Sequence, residues 1–220
     1  MPAKKLTKSD LEEDRFVEWI LETADFVRDR MRVFVGGLVA VAAVALIVVL
    51  VLRSQEESKL RAAGLLGDVM IAETNGQYDE GVRLCEQLVK EYAGTPAAGQ
   101  GVVLLGNRYF AQARYADAQH QYDAYLDSYG DQEVLVYAAW SGLAACFEAQ
   151  GDFEKAAGKY QEYATTHAGR MPAALALLEA ARCYRLAGDG GRQKATLERI
   201  VKEYADSPAA AKALEAIALL

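Results

Sequence analysis

Leu88–Ala98 reads LVKEYAGTPAA and Ile200–Ala210 reads IVKEYADSPAA, so one segment recurs almost unchanged 112 residues further on. The interval is three periods of about 37 residues, and a fixed period of this size marks a stacked-repeat architecture. In both copies an apolar-periodic run ends in Lys-Glu-Tyr, a short turn follows, and Thr95-Pro96 or Ser207-Pro208 opens the next run. Ser or Thr as N-cap with proline at the first helical position is a helix restart. The recurring segment therefore reads as a junction between helices, and the domain as a stack of such junctions.

Weaker copies fill the interval. The aromatic residue after each turn is Tyr78, Tyr115 and Phe153, spaced 37 and 38 apart, and the fourth copy carries Gly190 there. In the third copy Trp140, Leu143, Ala144 and Phe147 fall on one helix, then Gly151-Asp152-Phe153 turns the chain, and Ala156, Tyr160 and Tyr163 fall on the next. The second copy repeats this with Val102, Leu105, Gly106 and Tyr109, followed by Tyr115, Ala118, Tyr122 and Tyr125. Small residues at Gly106, Ala118 and Ala144 let paired helices approach, and aromatic side chains at helical spacing fill the space between pairs. Pro172 marks another restart, and Asp131 is the expected cap where proline is missing. The first copy departs from the pattern at Leu65, Asp68 and Ala72, and the fourth at Gly190 and Gln193, as end repeats commonly do. Ala209–Leu220 should close the stack through Leu214, Ile217 and Ala218.

The pattern W-x2-L-G-x2-Y, then A-x3-F, then P, with Ala144 in place of Gly, resembles the tetratricopeptide repeat. The resemblance covers roughly residues 60–220 and is most specific in the two middle copies. It implies an all-α fold: a tetratricopeptide-like α-solenoid of about four helix pairs plus a C-terminal closing helix. It also implies a concave face, built from the first helix of each pair, that holds protein partners. The groove slots fall on Leu66, Met70 and Glu73; Val103, Asn107 and Phe110; Ser141 and Glu148; and Leu178, Arg182 and Arg185. Asn107 stands where groove-binding relatives hold a peptide backbone. The companion Lys and Arg of the carboxylate clamp have no counterpart in the second and third copies.

Val33–Leu52 reads VFVGGLVAVAAVALIVVLVL, twenty residues without a charge. A helix of that length crosses the roughly 30 Å hydrocarbon core of a bilayer. A signal peptide has a shorter apolar region closer to the N-terminus. Seven basic residues precede the run, with Arg28, Arg30 and Arg32 adjoining it, whereas only Arg53, Lys59 and Arg61 follow at similar distance. That bias places the N-terminus in the cytoplasm and the repeats outside. The expected organisation is a cytoplasmic stub over 1–32, a transmembrane helix over 33–52 and the repeat domain over 53–220. In the stub, Ser9 and Glu12 form a capping box, and Phe16, Ile20, Ala24, Val27 and Met31 make an apolar stripe widened by Trp19 and Phe26. Two readings stay open for 57–74: continuation of the membrane helix, or a fresh start at Ser54 with Glu57.

Residues 53–220 carry 17 basic and 23 acidic groups without a basic cluster, so no electrostatic footprint for nucleic acid is present. Cys85, Cys146 and Cys183 lack C-x-x-C spacing and read as small core residues, with a redox role as the alternative. No P-loop, nucleophile elbow or H-E-x-x-H occurs, and His120 and His167 are lone. No catalytic, metal or cofactor site and no small-molecule substrate is expected. The layout of stub, single span and outward repeats resembles the YfgM-like ancillary subunits of the SecYEG translocon. That resemblance implies an inner-membrane scaffold, its repeat domain periplasmic or extracytoplasmic, assisting protein translocation or envelope-protein folding. Its partners would be the translocon or periplasmic chaperones, with residues 33–52 in the lipid bilayer. The alternative is a structural accessory subunit of a large inner-membrane complex, docked through the transmembrane and cytoplasmic helices.

Overall fold

The computed structural model describes residues 19–20, 22–24, 26, 28, 30–130 and 132–220. The Ser9–Glu12 capping box, Phe16, Val27 and Asp131 lie outside them. Secondary structure among the described residues is helical throughout. The helices are α1 (Met31–Thr74), α2 (Tyr78–Glu91), α3 (Pro96–Ala111), α4 (Tyr115–Ser128), α5 (Glu133–Ala149), α6 (Phe153–Thr166), α7 (Met171–Leu186), α8 (Gly190–Glu203) and α9 (Pro208–Ile217). The chain divides into two units, Met1–Glu56 and Glu57–Leu220.

In the first unit, every side chain from Val33 to Leu52 is exposed. A helix apolar on all sides must be buried in protein or in lipid, and none of the described residues covers this one. It is a candidate membrane span by length and composition. No helix begins at Ser54, because α1 runs unbroken from Met31 to Thr74.

The second unit is the four-pair stack and closing helix that the period predicts: residues 57–74 with α2, α3 with α4, α5 with α6, α7 with α8, then α9. The helix restarts form as expected. Thr95 Oγ1 accepts from the Ala98 N–H at 3.2 Å, and Ser207 Oγ from the Ala210 N–H at 3.3 Å. Two caps escaped the sequence reading: Asp152 accepts from the Lys155 N–H and Asp189 from the Arg192 N–H, starting α6 and α8. Helix α5 starts at Glu133 behind Gln132, without a side-chain cap.

Inside each pair the turn demands a left-handed residue. Gly76, Gly151 and Gly188 supply it at φ of 72°, 79° and 78°, but the second pair uses Ala113 at φ 57°. Between pairs, the tyrosine that ends a second helix reaches back one repeat. Tyr129 Oη accepts from the Gly94 N–H at 3.3 Å, and Tyr204 Oη from the Gly169 N–H at 3.5 Å. This gives the tyrosine of the Lys-Glu-Tyr motif at Tyr204 a structural role.

The core is mostly alanine and tyrosine. Ala118, Ala139, Ala144 and Ala156 are wholly buried, and Tyr109, Tyr122, Tyr125, Tyr160, Tyr163 and Tyr184 are buried with them. Tyr122 is the tightest fit. A Cβ on Gly106 would stand 2.6 Å from its ring, and one on Gly142 would overlap it. Successive first helices touch (α3 with α5, α5 with α7, α7 with α9), whereas successive second helices do not come as close. The first helices thus form the closer-packed layer, and the predicted groove slots lie on these helices.

Two substitutions test this packing by urea unfolding of the full chain in detergent, followed by far-UV circular dichroism. Gly142→Ala should cost about 1–3 kcal/mol, because overpacking against a buried ring forces helices apart. Ala113→Gly should add up to about 1 kcal/mol by relieving the left-handed alanine.

Candidate interaction groove

Each first helix presents its groove slots at the same register, but the slots differ in availability. Met70 is 55 % exposed, Asn107 and Arg185 are exposed, and Leu66, Phe110, Ser141, Glu148, Leu178 and Arg182 are half-buried. Val103 is a correction: at 4 % exposure it belongs to the core and presents nothing to the groove. Its branched side chain is short, and α3 is flanked by neighbours on both sides. Leu175 and Leu186, each 44 % exposed on α7, were missed. Both occupy groove slots of the fourth pair by the same periodicity that places Leu178 and Arg185.

Asn107 is held from beneath. The Tyr122 hydroxyl donates to Asn107 Oδ1 at 2.8 Å, which turns the amide nitrogen away as the remaining donor. Burial pushes the Tyr122 phenol well above its ordinary range, so that hydroxyl stays a donor. Phe110 packs on Tyr115 with ring centroids 5.6 Å apart.

Most charge on the groove-lining helices is consumed internally. The Arg182 guanidinium donates to Glu148 Oε1 and Oε2 at 2.8 and 2.7 Å, and through Nε to Glu179 at 2.6 Å. Burial alone would lower the Arg182 pKa, but the hydrogen bonds it donates to Glu179 and Glu148 outweigh it and raise it. Glu148 also accepts from the Tyr160 hydroxyl at 3.3 Å. Arg108, absent from the sequence reading, donates through Nε to Glu73 at 2.7 Å and lies 4.2 Å from the Tyr78 ring centroid. Both bridges join the first helices of neighbouring repeats, across 35 and 34 residues. Arg185 forms no ion pair among the described residues. The pattern was accessible in principle, since opposite charges just under one period apart face each other across adjacent first helices.

The three cysteines are free and buried. Burial, with Glu86 nearby, pushes Cys85 up to about 12; burial pushes Cys146 up to about 11; and burial, with Glu148 nearby, pushes Cys183 up to about 12. His120 is exposed, whereas His167 is half-buried and stacks on Tyr163 with ring centroids 4.5 Å apart. Among the described residues, no three His, Cys, Asp or Glu side chains converge to hold a metal ion.

Tetratricopeptide repeat family models match residues 103–170 and 175–207. Those segments are tetratricopeptide repeats. Solved structures agree on the fold. The nearly identical TPR-like repeats of a candidate kinesin light chain from Podosopora anserina superpose with a TM-score of 0.53 at 20 % identity, covering 72 % of this chain and 84 % of that one. A tetratricopeptide repeat protein from Parabacteroides merdae superposes at 0.54 with 14 % identity, over 69 % of this chain and 57 % of its own length. At these identities the likeness concerns fold alone. Comparison with curated proteins finds no sequence match. Tetratricopeptide repeats are generally non-catalytic frameworks for protein interaction, so this chain's repeats present a protein-binding surface.

Two measurements test the groove chemistry. Arg182→Met and Glu148→Gln in a double-mutant cycle should show a coupling of about 1 kcal/mol, kept small by partial exposure of the pair. The folded thiols titrate above their unfolded value, so their stabilising contribution is complete below about 8.5 and is lost as pH rises toward 11–12. A thiol reagent in mildly alkaline buffer should therefore label them only as fast as the chain unfolds.

Proposed function

We propose that this chain is a membrane-anchored protein-interaction scaffold. Residues 1–32 would lie in the cytoplasm, 33–52 in the inner membrane, and the repeats of 53–220 on the far side. The observation that carries this reading is a charge-free helical segment from Val33 to Leu52, exposed along its whole length, on the same chain as tetratricopeptide repeats. Water around such a segment is costly, and a bilayer removes that cost. The excess of basic residues before the segment supports the orientation.

The work of such a scaffold is tethering. Anchoring confines the search for partners to the membrane surface and raises their effective concentration. The clients fitting this layout are chaperones and newly translocated proteins at the translocon. A second reading, an accessory subunit of a large inner-membrane complex, is favoured by Trp19 and Phe26, which are 61 % and 53 % exposed at the cytoplasmic end.

A photocrosslinking residue in place of Phe110 or Leu178, in the full chain in membranes, should yield discrete adducts with extracytoplasmic proteins. Adducts formed only when the crosslinking residue stands at Trp19 or Phe26 would support the accessory subunit. An alkaline phosphatase fusion after Leu220 should be active, and an inactive but well-expressed fusion would reverse the orientation.

A further inference from the structure

We infer that α9 pairs, antiparallel, with α9 of a second copy of this chain. This rests on the anchored-scaffold reading above, which gathers copies on one membrane, and adds a contact outside the groove.

The internal repeat shows what the exposed side of α9 is shaped to meet. In α7, Ala174, Leu177 and Ala181 share one face at i, i+3 and i+7, and all three are buried. In α3 the same face carries Gly99, Val102 and Gly106. A Cβ on Gly99 would meet the rings of Tyr129 and Tyr125, and one on Gly106 the ring of Tyr122, all from the helix that follows. One period of 37 beyond the α7 set, α9 carries Ala211, Leu214 and Ala218, the same Ala-x2-Leu-x3-Ala. Here all three are exposed, Leu214 at 55 %, with Leu219 and Leu220 exposed beside them. No second helix lies over this face among the described residues.

Two features make a second α9 the occupant. The face is self-complementary, because Leu214 of each copy can enter the space above the small residues of the other, which lets the two helices approach closely. A patch that supplies both halves of its own contact is isologous and closes at two copies. The charges then fix the direction. Lys212 and Glu215 stand on one flank of the face, both exposed, and neither forms an ion pair among the described residues. Antiparallel pairing brings each Lys212 to the other copy's Glu215, whereas parallel pairing opposes like charges.

The size of the patch fixes the setting. Helix α9 has 10 residues and is about 15 Å long. A contact of that length falls well short of the roughly 1,200–2,000 Å² that a stable soluble complex buries. Confinement to one bilayer raises the effective concentration of the second copy and offsets the shortfall.

The test is energy transfer between donor-labelled and acceptor-labelled copies of the full chain in liposomes. The dyes are attached at Asp206→Cys, since the native thiols are buried. Transfer should exceed that of random mixing at the same protein-to-lipid ratio. Leu214→Asp should weaken association at least about tenfold, as removal of a leucine from an apolar contact implies. Its circular dichroism melt should match that of the unaltered chain, because Leu214 is exposed in the single copy. Lys212→Glu and Glu215→Lys should each weaken association about threefold. Mixing donor-labelled Lys212→Glu with acceptor-labelled Glu215→Lys should restore it. Transfer no greater than random mixing overturns the inference, as does transfer unchanged by Leu214→Asp or charge variants that mixing does not rescue. Failure of the chain to float with liposomes would instead sink the anchor reading. The Leu214→Asp comparison would then be made by sedimentation at high protein concentration, where equal self-association of the two chains again overturns the inference.

Discussion

One aromatic ring holds the middle of this stack. Tyr122 leaves α4 and enters a slot that exists only because Gly106 on α3 and Gly142 on α5 carry no side chains. Three helices from two adjacent repeats are thereby fixed by a single contact, and the hydroxyl at the end of the ring sets the amide of Asn107. Packing and surface chemistry are coupled at that point. One repeat further on, Tyr160 occupies the equivalent slot and its hydroxyl reaches Glu148. At the ends of the stack the slot holds Cys85 and Leu197, both buried and neither able to reach across. The interior repeats thus connect core to groove through tyrosine, while the end repeats only pack.

Electrostatics reinforces the same repeat-to-repeat geometry. Glu73 with Arg108, and Glu148 with Arg182, bridge first helices whose separation is already set by small residues and aromatic rings. Partly exposed ion pairs contribute modestly, so they refine the register between repeats rather than create it. Their larger consequence is for surface chemistry, because pairing withdraws four charged groups from the layer of first helices.

Much of the fold was legible because its signals are local and periodic. The recurrence of Lys-Glu-Tyr with Thr-Pro or Ser-Pro fixes the junctions, and the caps at Thr95 and Ser207 form where those residues stand. Asp152 and Asp189 were passed over as caps because an Asp after Gly also fits an ordinary turn. The groove was legible only as a register. Val103 sits at a groove slot yet is buried, since projection past neighbouring helices depends on side-chain length and not on position in the period. The ion pairs were hidden for a related reason: residues 34 or 35 apart meet only once the offset between adjacent repeats is known.

A groove with its charge mostly neutralised and shallow apolar contacts cannot bind tightly by itself, and on the proposed reading it has no need to. Association in free solution must overcome several kcal/mol of lost translational and rotational freedom. A partner held at the same membrane has already given up part of that freedom, and short flexible tethers give effective concentrations on the order of millimolar. A site with a dissociation constant of about 100 μM, roughly 5.5 kcal/mol of binding free energy, would then be mostly occupied. The same site would release its partner quickly, since affinity differences between related complexes lie chiefly in the off-rate. Weak, neutral recognition by a rigid groove is thus compatible with repeated capture and release of varied segments. A tightly complementary charged groove would instead commit the scaffold to one partner.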